Sequence, residues 1–167
     1  FFVSNEKIAL SRETEHNERK ILELSKPESF SLYVGIPFCP SRCSYCSFVM
    51  ASIERAEKLI EPYTKLLCEE IKRTAEIANK LGLRLETVYF GGGTPTTLSA
   101  EQLDTVLRTV NKSFDMSTCR EFTVEAGRPD TIDIAKLFAL KENKVDRISI
   151  NPQTVNAVSY THLRAHE

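Results

Sequence analysis

The sequence predicts an α/β fold with a parallel sheet, either part of a (β/α) barrel or an open α/β sheet. Three observations carry this. Four short β-rich runs alternate with longer stretches of helical periodicity, giving the order β-α-β-α-β-α-β. Connections of helical length between successive strands require parallel pairing through crossovers. Chemistry-bearing residues cluster just after the strands, where such folds place their ligands. Four strands cannot close a barrel, which needs about eight with their helices and at least roughly 200 residues. The sheet is therefore expected to be open, or the barrel truncated.

Residues from Arg12 to Leu24 are polar with Ile21, Leu22 and Leu24 at the end, and the spacing predicts a helix stopped by Lys26-Pro27. Residues 1–30 are expected to form a helical connector from a preceding region, since the chain opens on Phe1 without a Met. SLYVGI, Ser31 to Ile36, reads as the first strand, ended by Pro37. Pro62 suits a first helical turn, and Leu66, Leu67, Ile71, Ala75, Ala78 and Leu81 recur at helical spacing until Gly82 supplies a stop. LETVYF, Leu85 to Phe90, is the second strand. After the Gly91-Gly92-Gly93 turn, a helix starts at a Ser99 cap with Gln102 three residues on, and Leu103, Val106, Leu107 and Val110 form its buried stripe. EFTVEA, Glu121 to Ala126, is the third strand, Thr131 to Lys141 a helix, and DRISI, Asp146 to Ile150, the fourth strand. Residues 157–167, Ala157 to Glu167, continue neither pattern and are expected to be a non-native tail, so His162 and His166 are set aside. The core domain is expected over residues 31–156.

Charge narrows the partners. Lys plus Arg number 22 against 23 Asp plus Glu, so there is no electrostatic reason to expect nucleic acid or an anionic membrane. No apolar stretch approaches the ~20 residues of a membrane span, and the early charges do not suit a secretory signal. A cytoplasmic location is expected. Five cysteines, three of them within eight positions, suit a reduced compartment and a metal better than a disulfide framework.

Those three, Cys39, Cys43 and Cys46, stand in a CxxxCxxC pattern directly after the first strand, with Pro37, Pro40 and Ser41 keeping the loop irregular. Iron–sulfur clusters are normally held by four cysteines, so three leave one iron open for another ligand. A three-thiolate zinc site would need a fourth ligand, and no His lies between residues 17 and 161. A disulfide or plain burial accounts for one or two cysteines but not for the spacing. Cys68 and Cys119 read as packing residues.

Gly91-Gly92-Gly93-Thr94-Pro95 ends the second strand without side chains at its glycines, letting backbone groups approach a small polar ligand. It lacks the GxxxxGK[ST] and GxGxxG patterns, which argues against a nucleoside triphosphate or a dinucleotide. Alone, such a turn is more often a plain tight turn; one βα unit after the cysteines it reads as a ligand seat. Glu125 ends the third strand and Gln153 lies just past the fourth, so both are expected on the same rim as the cysteine loop. Read alone, they are also compatible with a turn cap to Arg128 and with a solvated side chain.

The segment YVGIPFCPSRCSYCSF, Tyr33 to Phe48, resembles the cluster loop of radical S-adenosylmethionine enzymes, with Tyr45 as the aromatic residue before the last cysteine. The resemblance implies a 4Fe-4S cluster on Cys39, Cys43 and Cys46 whose open iron chelates S-adenosylmethionine, and a partial (β/α) barrel of that type. Over residues from about Ser31 to Asn156, IPFCPSRCSYCSF, VYFGGGTPTTL, FTVEAGRPDTI and RISINPQTVN together resemble the oxygen-independent coproporphyrinogen III oxidase group, and EAGRPD its HemZ-like branch. This sequence departs from other branches of the group in carrying Gly35 where they often have His and Ser47 rather than a further cysteine after Cys46, and neither change touches a cluster ligand. By that resemblance Tyr33, Gly92, Gly93, Thr94, Glu125 and Gln153 contact S-adenosylmethionine, and Tyr45 packs beside the cluster. The implied reaction is hydrogen abstraction from a propionate of coproporphyrinogen III, then loss of carbon dioxide and an electron to leave a vinyl group. Two propionates react, giving protoporphyrinogen IX, with an unidentified electron donor as further partner. A haem chaperone of the same group and a radical enzyme with another substrate stay open as alternatives. The 167 residues alone are expected to be inactive towards porphyrinogen.

Overall fold

A computed structural model describes residues 3–151. Four parallel strands form the main sheet in the order β1-β4-β5-β6, comprising β1 (Ser29–Ile36), β4 (Arg84–Gly92), β5 (Glu121–Glu125) and β6 (Arg147–Ser149). The expected parallel α/β architecture is therefore present. All four strands lie within two residues of their expected bounds. Two two-residue strands absent from the sequence reading, β2 (Phe38–Cys39) and β3 (Ala51–Ser52), pair in parallel and pinch the two ends of the cysteine loop together.

The helices are α1 (Asn5–Leu22), α2 (Ile53–Lys80), α3 (Ala100–Ser113) and α4 (Ile134–Glu142). No residue of α1 is buried, and it begins seven residues before the expected Arg12, where the Ser4 side chain accepts a hydrogen bond from the Lys7 amide. α2 corrects the reading of Pro62. The helix starts at Ile53 and carries Pro62 inside it. Pro62 removes one amide donor from the helix ladder, but Lys58, whose carbonyl loses its partner, and Pro62 itself both lie on the exposed face. The stripe that buries is Ala56, Ile60, Thr64, Leu67, Cys68, Ile71, Ala75 and Ala78, whereas Leu66 and Leu81 are exposed. Gly82 takes a φ of 67°, and the Leu83 amide donates to the Ala78 carbonyl at 2.9 Å, closing the helix as expected.

At the start of α3, Ser99 and Gln102 form the reciprocal capping box. Leu103, Val106, Leu107 and Val110 are fully buried on its inner face. α4 begins at Ile134 rather than Thr131, because residues Pro129–Thr131 make a separate 3-10 turn and Asp133 caps the helix, accepting from the Lys136 amide at 2.8 Å.

Period-two alternation gives the sheet two different faces. Val34, Ile36, Val88, Phe90, Phe122 and Val124 join the inner stripes of α2 and α3 in one apolar core. Tyr33, Tyr89, Gly91 and Glu125 belong to the opposite face, with Tyr33 paired to Tyr89 in register. Among the described residues no helix is long and apolar enough to cross a membrane.

Candidate functional site

The site is assembled where β1, β4, β5 and β6 end. β1 runs into Pro37 and then into the loop that carries the cysteines. Tyr63 of α2 fixes the end of β1 from behind, donating its hydroxyl to the Gly35 carbonyl at 2.6 Å, while its ring meets Phe38 edge-on at 5.2 Å.

The glycine turn is bound to this strand end by backbone hydrogen bonds. The Gly93 amide donates to the Ile36 carbonyl at 2.7 Å and the Thr94 amide to the Phe38 carbonyl at 2.8 Å. Contact is so close that a Cβ on Gly93 would lie 2.6 Å from the Phe38 carbonyl oxygen and 3.0 Å from Cys39 Sγ. Gly92 has a φ of 108°, a conformation side chains rarely adopt. Glycine is thus required at both positions by the approach of two backbones. Thr94 is buried, and its hydroxyl lies 3.3 Å from Cys39 Sγ.

A cavity of about 170 Å³ is lined by Cys39, Cys43, Tyr45 and Cys46 from the loop, Gly92, Gly93 and Thr94 from the turn, and Glu125 and Arg128 from the rim after β5, among others. All three cysteines are half-buried free thiols. Burial pushes the Cys39 thiol up; Thr94 draws it down, Cys46 and Cys43 push it further up, and Arg128 draws it down. Sulfur donors of this kind hold zinc or iron–sulfur clusters. Among the described residues, no three His, Cys, Asp or Glu side chains are grouped tightly enough to hold a single metal ion.

Glu125 is oriented by Tyr89, whose hydroxyl donates to Oε1 at 2.6 Å. That bond to a carboxylate, reinforced by burial and by the carboxylate charge, pushes Tyr89 up to about 12. Tyr33 stacks on Tyr89 with ring centroids 6.0 Å apart, and burial followed by the Glu125 charge raises its hydroxyl as well. A Cβ on Gly91 would meet the Tyr89 ring at 2.9 Å, the Tyr33 hydroxyl at 3.0 Å and Glu125 Oε2 at 3.2 Å, so the first glycine makes room for this trio.

The structure thus gathers Cys39, Cys43, Cys46, Tyr45, Gly92, Gly93, Thr94 and Glu125 round one cavity. Tyr33 stands apart, on a neighbouring, more apolar cavity of about 310 Å³ that shares Gly92, Gly93 and Phe48 with the first. Gln153 and the 157–167 segment lie outside the described residues. The sequence reading missed Tyr89, Arg128 and Asn151, the last of these also lining the cysteine cavity. Strand alternation would have put Tyr89 on the face of Tyr33 and Glu125, and the positions of Arg128 and Asn151 just after strand ends mark the same rim.

Comparison with known proteins agrees with this architecture. The chain is 38% identical over 157 residues to the oxygen-independent coproporphyrinogen-III oxidase-like protein HemZ of Bacillus subtilis (strain 168), covering 92% of this chain and 31% of that protein. It is 40% identical over 134 residues to the heme chaperone HemW of Lactococcus lactis subsp. lactis (strain IL1403), covering 80% of this chain and 32% of that one. The solved structure of coproporphyrinogen III oxidase (HemN) from Escherichia coli, a radical SAM enzyme, superposes with a TM-score of 0.72 at 25% identity, over 89% of this chain and 34% of that one. The chain thus spans about a third of the length of the curated relatives it matches. The profile of the Radical SAM superfamily matches residues 33–166, the span that holds the cysteine loop, the glycine turn and all of the parallel sheet except the first half of β1, and the chain belongs to that superfamily.

Proposed function

We propose that this chain carries the cofactor-binding part of an oxygen-independent coproporphyrinogen III dehydrogenase. Cys39, Cys43 and Cys46 would hold a 4Fe-4S cluster, and the Gly92-Gly93-Thr94 turn with Glu125 would bind S-adenosylmethionine. The observation that carries the reading is the convergence of three free thiols from one loop with the Gly92-Gly93-Thr94 turn and Glu125 on a single cavity. When bound, the cluster and S-adenosylmethionine supply the radical chemistry that removes a hydrogen atom from a propionate side chain, which then loses carbon dioxide and one electron to leave a vinyl group.

The protein's own residues bind and orient. The glycine turn offers backbone groups at close range to a small polar ligand. Glu125, held by Tyr89, presents a carboxylate with Oε2 directed over Gly91, suited to an ammonium group. Tyr45, half exposed at the cavity, shields its mouth with an aromatic ring. Gln153, outside the described residues, keeps the role that the family resemblance implies for it, a polar contact to S-adenosylmethionine. A tetrapyrrole substrate, an unidentified electron donor that reduces the cluster and an unidentified acceptor for the electron each propionate loses complete the reaction.

Anaerobic reconstitution with iron and sulfide, followed by reduction, tests the reading. Release of 5′-deoxyadenosine from S-adenosylmethionine is expected, and Cys43→Ala is expected to abolish it. Release by the Cys43→Ala variant would show the cysteine assignment to be wrong. Conversion of coproporphyrinogen III by the full-length protein separates the dehydrogenase from the second reading, a haem chaperone, which the 40% identity to HemW favours; tight haem binding without porphyrinogen turnover would decide for the chaperone.

A further inference from the structure

One buried ionic side chain of this cavity has no part in the reading above. Arg128 is 6% exposed and lines the cavity with the three cysteines. Its Nη1 donates to Ser41 Oγ at 2.9 Å, and Ser41 lies in the loop between Cys39 and Cys43. Its Nε and Nη2 donate to the Asp130 carboxylate at 3.2 and 2.8 Å. The backbone beneath it is held firmly. The Arg128 carbonyl accepts from the Thr131 amide at 3.0 Å and from the Thr131 hydroxyl at 2.7 Å. Thr131 Oγ1 in turn lies 2.6 Å from Thr96 Oγ1, and Lys136 Nζ donates to the carbonyls of Thr96 and Thr131.

These bonds matter because the cysteine loop has little regular structure of its own. A guanidinium rooted in a buried network and reaching across to Ser41 limits where Cys39 and Cys43 sit. Its charge matters too. Burying a guanidinium is expensive unless it is paired, and Arg128 pairs with the Asp130 carboxylate at 2.8 Å. A positive charge beside a metal cluster favours the state with one more electron.

We propose that Arg128 is a positioning residue of this site: through Ser41 it ties the cysteine loop to the rim after β5, and it holds a fixed positive charge beside the thiols. The inference rests on the cluster reading. It is tested by loading the wild-type chain, Arg128→Gln, Arg128→Lys and Ser41→Ala anaerobically with iron and sulfide. Two quantities are read, the midpoint potential of the cluster by spectroscopically monitored titration and the rate of iron loss to a chelator, with thermal unfolding as a check on the fold. Arg128→Gln is expected to shift the potential to more negative values and to lose iron several-fold faster. Ser41→Ala and Arg128→Lys, which keep the charge but lose the bond, are expected to lose iron faster at a potential close to wild type. Wild-type potential and retention in Arg128→Gln would overturn the inference. Should Arg128→Gln fail to fold, wild-type retention in both Ser41→Ala and Arg128→Lys overturns it. A wild-type chain that takes up no cluster sinks the cluster reading and this inference together, whereas a loaded wild type indistinguishable from its variants sinks this inference alone.

Discussion

The two halves of the candidate site are built in opposite ways. The glycine turn is set into the fold: its amides are bonded to Ile36 and Phe38, Thr94 is buried, and Gly93 touches the backbone of the neighbouring strand end. The cysteine loop is irregular between two short strands, and Phe48 and Val49 are largely exposed. Among the described residues its bonds include local ones, the Cys46 N–H to the Cys43 carbonyl at 3.0 Å and an Arg42 guanidinium contact to the Cys46 carbonyl at 3.2 Å. One half is preformed. The other, on the proposed reading, would gain its rigidity from the group it binds, as metal-binding segments commonly do.

The sharpest way to break this contrast is to add a methyl group at Gly93. A Cβ 2.6 Å from the Phe38 carbonyl meets backbone, which cannot step aside as a flexible side chain can. Gly93→Ala should destabilise the chain by about 1–3 kcal/mol, as overpacking typically does, and should impair cluster loading because Cys39 is displaced with Phe38. Unchanged chemical denaturation would show that the turn is less fixed than described.

A smaller effect, on dynamics alone, is expected in hydrogen exchange. Before loading, the amides of Gly93 and Thr94 should exchange slowly and those of residues 41–50 fast; after cluster uptake the loop should slow while the turn changes little. Equal protection of both segments in the unloaded chain would erase the distinction.

The smallest effect belongs to Tyr89→Phe, which frees Glu125 without altering packing. Tyr89 is raised from 10.0 to about 12, so its hydroxyl bond stabilises the fold fully below the unfolded value and is lost as pH rises through the folded one. Tyrosinate absorbance should therefore show a late step near pH 12 that the Phe variant lacks. Because the pair is partly exposed, the substitution should cost only about 0.5 kcal/mol at neutral pH. A variant retaining the late step would assign that titration to another tyrosine.

The sequence revealed the same contrast unevenly. Strands were legible because their apolar residues alternate and their ends carry Pro37, the glycine turn or polar residues. The α3 cap was legible because Ser99 and Gln102 make a local, reciprocal bond. The start of α2 was not, since Pro62 is a strong boundary signal that only tertiary burial of Ala56 and Ile60 outweighs. Within the site, most of the residues announced by motif line one cavity, with Tyr33 on the neighbouring one and Gln153 outside the described residues, while the Tyr89 bond to Glu125 and the Arg128 bond to Ser41 were hidden because those partners lie 36 and 87 positions away. Such bonds follow from strand order, which motifs do not encode.

That order has a consequence for how the chain is made. In β1-β4-β5-β6 the spatial sequence repeats the chain sequence, and every new strand is laid against the one before it. During synthesis each βα unit therefore meets its neighbour already in place, with no need to wait for a distant segment to close a gap. The cysteine loop, anchored to the first strand, emerges before the glycine turn that completes its cavity, and before the arginine that reaches back to it.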